Sequence, residues 1–198
     1  MGKWQTVKLS DVFTLQMGKT PSRDKHDYWN GDNKWISIAD LGKATKYISE
    51  TKETITDTAI SQTGIKLTPK NTVIMSFKLS IGKTAITAGD IYTNEAIMSF
   101  LDKGTYENDI NFIYHLFSNK DWSEGTNKAV MGVTLNKATL SEVFIPLPPL
   151  EEQKKIAANL DKLTHLIDTC NKALEKLDLL VKSRQVEEML FTSEEVAA

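Results

Sequence analysis

Between residues 150 and 190 the apolar positions recur at alternating steps of four and three: Ile156, Leu160, Leu163, Ile167, Cys170, Leu174, Leu177 and Val181. That spacing is a heptad seam. The stretch contains neither Gly nor Pro, so it predicts one long helix, roughly 60 Å at ~1.5 Å per residue. The rest of the chain forms too small a globule to hide such a rod, and it offers no second helix of comparable length. The seam therefore predicts a partner helix from another copy or another protein. Leu166, Ala173 and Leu180 widen the stripe, an arc suited to a bundle with more than one partner helix. Burial of the eight seam residues at ~1.5–3 kcal/mol each would contribute about 12–24 kcal/mol gross. That supports a lasting association even after the entropic costs of pairing.

Ahead of the helix the pattern is mixed. Residues 4–8 read as a short strand, followed by a helical turn capped by Ser10. Residues 18–33 read as a long polar loop, punctuated by Gly, Pro, Asn and Asp. A strand is expected at 35–38, ending at Asp40, and a helix at 56–62. The β-branched and apolar runs 72–77, 84–87 and 96–101 predict strands. Residues 109–117 predict a helix, 123–134 a second polar loop, 139–143 a helical turn and 144–147 a last strand. Three of the five prolines then fall at 146, 148 and 149 and force an extended exit from the globule. Pro149 suits a first helical turn, and Glu151 and Glu152 complement the positive end of the helix dipole. The expectation is an α+β globule at 1–147, a rod rigidly joined to it at 148–192 and a tail at 193–198.

Composition narrows the class. Hydrophobic residues make up 40% and charged residues 25%, as in a soluble globular protein. No apolar run approaches the ~18 residues of a membrane span, and the N-terminus lacks the apolar stretch of a signal peptide. The one cysteine, Cys170, allows no intrachain disulfide and reads as a small apolar seam residue. These features predict a cytoplasmic protein without membrane contact. Residues 1–149 carry 17 Lys+Arg against 16 Asp+Glu, and residues 150–198 carry 7 against 10. A near-neutral globule can carry a basic face, but composition does not demonstrate one.

Catalytic patterns fail. Gly18-Lys19-Thr20 and Gly82-Lys83-Thr84 resemble the end of a phosphate loop, but Phe13 and Phe77 stand where its first glycine is required. Asp40, Glu50 and Lys52 loosely mimic a metal-nuclease set, a triplet that chance supplies in most charged chains. His26, His115 and His165 lack partners at metal-ligand spacing. The expectation is a non-catalytic protein with no metal and no cofactor of its own.

The order of several short blocks carries a resemblance. Trp4, Val7, Leu9 and Asp11 are followed by Gly18-Lys19-Thr20-Pro21-Ser22, Tyr28-Trp29-Asn30-Gly31 and Trp35-Ile36-Ser37-Ile38 with Asp40-Leu41. Then come Ser80-Ile81-Gly82-Lys83, Thr93-Asn94-Glu95-Ala96-Ile97 and the run from Ile145 through Pro148-Pro149-Leu150-Glu151-Glu152-Gln153 to Ala157. The chain resembles the specificity subunit of type I restriction-modification systems, a prokaryotic defence. The resemblance implies a target-recognition domain that reads one half of a bipartite double-stranded DNA site. It also implies a helix that pairs antiparallel with the helix of a second half and docks methyltransferase subunits. Adenine methylation and restriction, with their S-adenosylmethionine, ATP and Mg, belong to the methyltransferase and restriction/translocase partners. The usual subunit holds two such halves, whereas this sequence holds one recognition domain and one helix.

A DNA reader needs Lys and Arg for phosphates, and Asn, Gln, Arg or Ser for base edges. The first polar loop offers Lys19, Ser22, Arg23, Lys25 and His26. The second offers Asn127 and Lys128, and Lys43, Lys46, Lys78 and Ser80 are further candidates. Two other readings stay open: an adaptor or decoy that sequesters methyltransferase subunits, and a nuclease using Asp40 and Glu50. Pairing through 150–190 could be with a second copy or with a different half-subunit.

Overall fold

The computed structural model describes residues 4–78, 80–122 and 135–196, the last twelve of these by their backbone alone. The chain divides into two compact units, 1–155 and 156–198. In order along the first unit run β1 (Gln5–Lys8), α1 (Leu9–Val12), β2 (Phe13–Met17), a 3-10 turn (His26–Tyr28), β3 (Trp29–Ile36), α2 (Ile38–Lys43), β4 (Tyr47–Ile48) and β5 (Glu53–Ile55). They are followed by α3 (Asp57–Thr63), β6 (Val73–Ser76), β7 (Thr84–Thr87), β8 (Tyr92–Thr93), β9 (Ile97–Asp102), α4 (Ile110–Asn119), α5 (Lys137–Ser141) and β10 (Phe144–Leu147). Helix α6 (Leu150–Val196) starts in the first unit and makes up the second.

A five-stranded sheet in the order β2-β9-β6-β7-β4 forms the centre, beside a three-stranded sheet β5-β3-β8 and a β1-β10 pair. Every residue of β6 and β7 is buried, as expected of strands covered on both faces. Helix α4 packs on β7 and β6. Its Phe117 meets Phe13, Phe100 and Trp122 edge to face, with ring centroids 4.7–6.1 Å apart, an arrangement that satisfies the ring quadrupoles. Polar side chains inside are paired: the Thr68 and Ser99 hydroxyls lie 2.7 Å apart, and Thr87 donates to the Pro69 carbonyl. Among the described residues no helix is long and apolar enough to cross a membrane.

The strands expected at 72–77, 84–87 and 96–101 form, as do the helices at 56–62 and 109–117, which Thr56 and Asp109 cap. Several expectations are corrected. Ser10 lies inside α1 and does not cap it; the cap is Lys8, without a side-chain bond. The segment 29–33 is the start of β3 rather than loop. It escapes a simple alternating pattern because Asn30 takes φ 63° and the pairing with β5 shifts register there. The strand expected through 38 stops at Ile36, because Ser37 and Asp40 form a capping box that opens α2. Pro149 precedes α6, and its carbonyl accepts the Glu152 and Gln153 N–H groups. The loop expected at 123–134 lies outside the described residues.

The start of α6 belongs to the first unit. Gln153 is fully buried; its side-chain oxygen accepts the Asp109 N–H and its amide donates to the Glu107 and Pro148 carbonyls. Gly18 marks another close crossing: a Cβ there would lie 2.2 Å from the Thr93 carbonyl oxygen and 2.3 Å from that of Asn94. Gly18→Ala should therefore force the backbone apart and destabilise the fold by roughly 1–3 kcal/mol. A lower urea midpoint checks this; an unchanged midpoint would refute the close approach.

Candidate nucleic-acid interface

The strand directions of the central sheet gather several connections at one end. β2 runs antiparallel to β9 with Met17 opposite Met98, and β6 to β9 with Ser76 opposite Ile97. β7 runs antiparallel to β6 with Thr84 opposite Met75, and β4 lies parallel to β7. One end of the sheet thus collects the segment after Met17, residues 94–96, residues 77–78 and 80–83, and residues 44–46 between α2 and β4, with Lys43 at the end of α2. Trp122, beyond α4, reaches the same end: a Cβ on Gly82 would lie 3.2 Å from its ring. The candidates Lys19, Ser22, Arg23, Lys25, Lys43, Lys46, Lys78 and Ser80 all fall in these segments.

Residues 18–28 are held down closely. Trp35 donates its indole N–H to the Lys19 carbonyl at 3.0 Å, and Trp29 donates to the Ser22 carbonyl at 3.1 Å. The Lys19 backbone N–H bonds the Thr93 carbonyl and its ammonium the Thr63 carbonyl. Thr20 donates to Glu95 and accepts from Asn94. Lys25 donates to the Tyr28 hydroxyl, which donates to Gln62. His26 lies in the 3-10 turn.

Arg23 is the most constrained cation here. Its guanidinium stacks 3.8 Å from the Trp29 ring centroid and lies 5.4 Å from that of Trp35, a cation–π arrangement. Both terminal nitrogens donate to the two Glu53 carboxylate oxygens. Those bonds hold the Glu53 carboxyl below its ordinary range and raise the Arg23 guanidinium. Sequence reasoning did not find Glu53. It lies thirty residues from Arg23, and only the β3–β5 pairing, with Trp35 opposite Glu53, brings them together.

The 43–46 and 77–83 side differs. Lys43 lies in the last turn of α2, and Lys46 lies over the Tyr47 and Tyr114 rings. Ser80 takes φ 50° and its carbonyl accepts the Ser76 hydroxyl. Lys78 lies 5.6 Å from the Phe77 ring. Asn127 and Lys128 fall outside the described residues. Asp40 is committed to structure: its carboxylate accepts from Ser37 and from the Lys52 N–H. Among the described residues no group of His, Cys, Asp and Glu could hold a metal ion.

The second unit is helix. Leu163, Leu166, Ile167, Leu174, Leu177, Leu180 and Val181 are each 54–66% exposed, and Cys170 is an exposed free thiol. Together with Ile156 and Leu160 they form the apolar arc read from the sequence.

Comparison with known proteins decides the family. The profile described as type I restriction modification DNA specificity domain matches residues 1–179. The chain belongs to that family. The MjaIX type I restriction enzyme specificity subunit of Methanocaldococcus jannaschii is 33% identical over 97% of this chain and 46% of its own length. The EcoprrI specificity subunit of Escherichia coli is 26% identical over 82% of this chain and 41% of its own. The crystal structure of the HsdS subunit from Thermoanaerobacter tengcongensis shares the fold, with a TM-score of 0.63 at 22% identity over 86% of this chain and 39% of that one. The chain thus spans less than half the length of each of these relatives.

The Arg23–Glu53 pair makes a pH prediction. A carboxyl whose folded pKa is depressed adds stability that is present above its unfolded value, about 4.3. That stability is lost as pH falls through the lower folded value. Acidification below about pH 4 should release Arg23 from Trp29 and change indole fluorescence before global unfolding. In Glu53→Gln that acid-side step should disappear; a step of the same size in the variant would refute the assignment.

Proposed function

We propose that this chain is a DNA-sequence-specificity unit of a type I restriction-modification complex. It reads one half of a bipartite double-stranded site and directs adenine methylation and restriction by partner subunits. The observation that carries this reading is the family match over residues 1–179, which spans the globule and most of α6. The gathered loops at one sheet end supply a reading surface on a rigid scaffold, as binding residues commonly are placed. The chain itself is non-catalytic: Asp40 is spent on a helix cap, and neither Gly-Lys-Thr triplet completes a phosphate loop. S-adenosylmethionine, ATP and Mg belong to the partners. The cell interior is its place of work.

Helix α6 pairs antiparallel with the α6 of a second copy and docks the methyltransferase subunit, an orientation taken from the family resemblance. One register suits all eight seam residues. With the two-fold axis between Asp168 and Thr169, Ile156 meets Val181, Leu160 meets Leu177, Leu163 meets Leu174, and Ile167 meets Cys170 of the other copy. Leu166, Ala173 and Leu180 then flank the pair on one side, where further helices can pack.

Two measurements test this. Leu163→Asp with Leu174→Asp puts unpaired charges into the seam, where burial is costly. It should convert a dimer into monomers by light scattering while leaving the globule folded. A parent chain that is monomeric at tens of micromolar would sink self-pairing. Two-fold pairing also requires symmetric half-sites. Sequencing DNA modified by the chain with its methyltransferase should reveal an interrupted palindrome; a continuous motif would overturn the bipartite reading.

A further inference from the structure

The candidate interface contains two kinds of cation, and the difference assigns them different work. On the 18–28 side the cationic groups already donate hydrogen bonds within the fold, and Arg23 is paired with a carboxylate. Lys19 donates to the Thr63 carbonyl, Lys25 to the Tyr28 hydroxyl and Arg23 to Glu53. Glu95 faces the same guanidinium and favours its charge. A phosphate approaching Arg23 would meet two carboxylates, and taking Arg23 away would leave Glu53 without its partner. Reaching a phosphate would also break the two bonds to Glu53 and the stack on Trp29.

The other side has cations without carboxylate partners. Lys43, Lys78, Lys83 and Lys120 make no ion pair among the described residues. They are brought together by contacts that span the sheet end. The Lys83 ammonium lies against α2, where a Cβ on Gly42 would be 3.0 Å from it, next in sequence to Lys43. Gly82 packs on Trp122, and Lys120 lies 5.9 Å from that ring. Lys78 lies in the same connection between β6 and β7. The nearby Asp40 carboxylate is occupied by Ser37 and the Lys52 N–H, and Asp121 is itself engaged. Positive charges gathered at one end of the sheet attract anions. Point charges spread along an open surface suit successive phosphates of a duplex.

We infer that Lys43, Lys78, Lys83 and Lys120 contact the DNA backbone, whereas Arg23 is a positioning residue that holds the 18–28 segment against Trp29 and Glu53. This rests on the DNA-reading function proposed above. Lys83 and Lys120 thereby join the interface, although neither was among the sequence candidates.

The test uses the full chain and a fluorescein-labelled 30-base-pair duplex of random sequence, with anisotropy titrations across a potassium chloride series. Lys43→Gln/Lys83→Gln/Lys120→Gln should weaken binding about tenfold or more and flatten the slope of log affinity against log salt by roughly two to three. Its thermal melt should match the parent. Arg23→Gln should keep the parent slope and lose the acid-side fluorescence step assigned to the Glu53 pair. A triple variant with the parent slope, beside a parent that binds, overturns the lysine assignment and leaves the DNA-reading function standing. An Arg23→Gln variant whose slope falls by about one makes Arg23 a phosphate contact and overturns its positioning role. A parent chain that fails to bind the duplex even at low salt removes the DNA reading itself, and the inference with it.

Discussion

The inner strands β6 and β7 of the central sheet are covered on both faces, and this constraint shapes the whole globule. β6 and β7 bury every residue, so neither strand can offer a polar side chain to a ligand from the middle of the sheet. At the heart of the sheet, charge and hydrogen-bonding capacity are left to the connections at the strand ends. The internal hydroxyls are consumed locally, as Thr68 with Ser99 and Thr87 with the Pro69 carbonyl. The chain can therefore vary what its loops present while leaving Ile74, Met75, Ile86 and Met98, all fully buried, to hold the framework.

How legible this was depended on length and periodicity. Runs such as 72–77 and 84–87 are β-branched, apolar and bounded by turn residues, so propensity and burial agree. The long helix declared itself because its seam repeats for almost four heptads. Elements of two or three residues, β4, β5 and β8, carry no period to detect. β3 hid behind Asn30, Gly31, Asp32 and Asn33, residues that ordinarily mark turns. They are tolerated in a strand because Asn30 adopts positive φ and Gly31 passes against the Ile55 backbone.

At the interface, residue types were readable and their partners were not. Arg23 looks like a DNA ligand in isolation; only the fold reveals the carboxylate and two indoles that already hold it. In the sequence Lys83 stands out only as part of an incomplete phosphate loop. Its nearness to α2 depends on Gly42, forty-one positions away, which no local pattern connects. Asp40 shows the opposite case: a suspected catalytic acid proves to be a helix cap, because Ser37 stands three residues before it.

Gln153 bears on how such proteins can exchange parts. The three prolines around 146–149 look like the seam between modules, and a chain recombined there would pair a foreign globule with a native helix. Yet Gln153 reaches back from the first turn of α6 to the Glu107 and Pro148 carbonyls and the Asp109 N–H. A crossover at the prolines would keep that amide only if the incoming globule offered the same three backbone groups in the same places. A crossover beyond residue 155 carries lock and key together. The physical unit that must travel together is thus the globule with the opening turn of its helix.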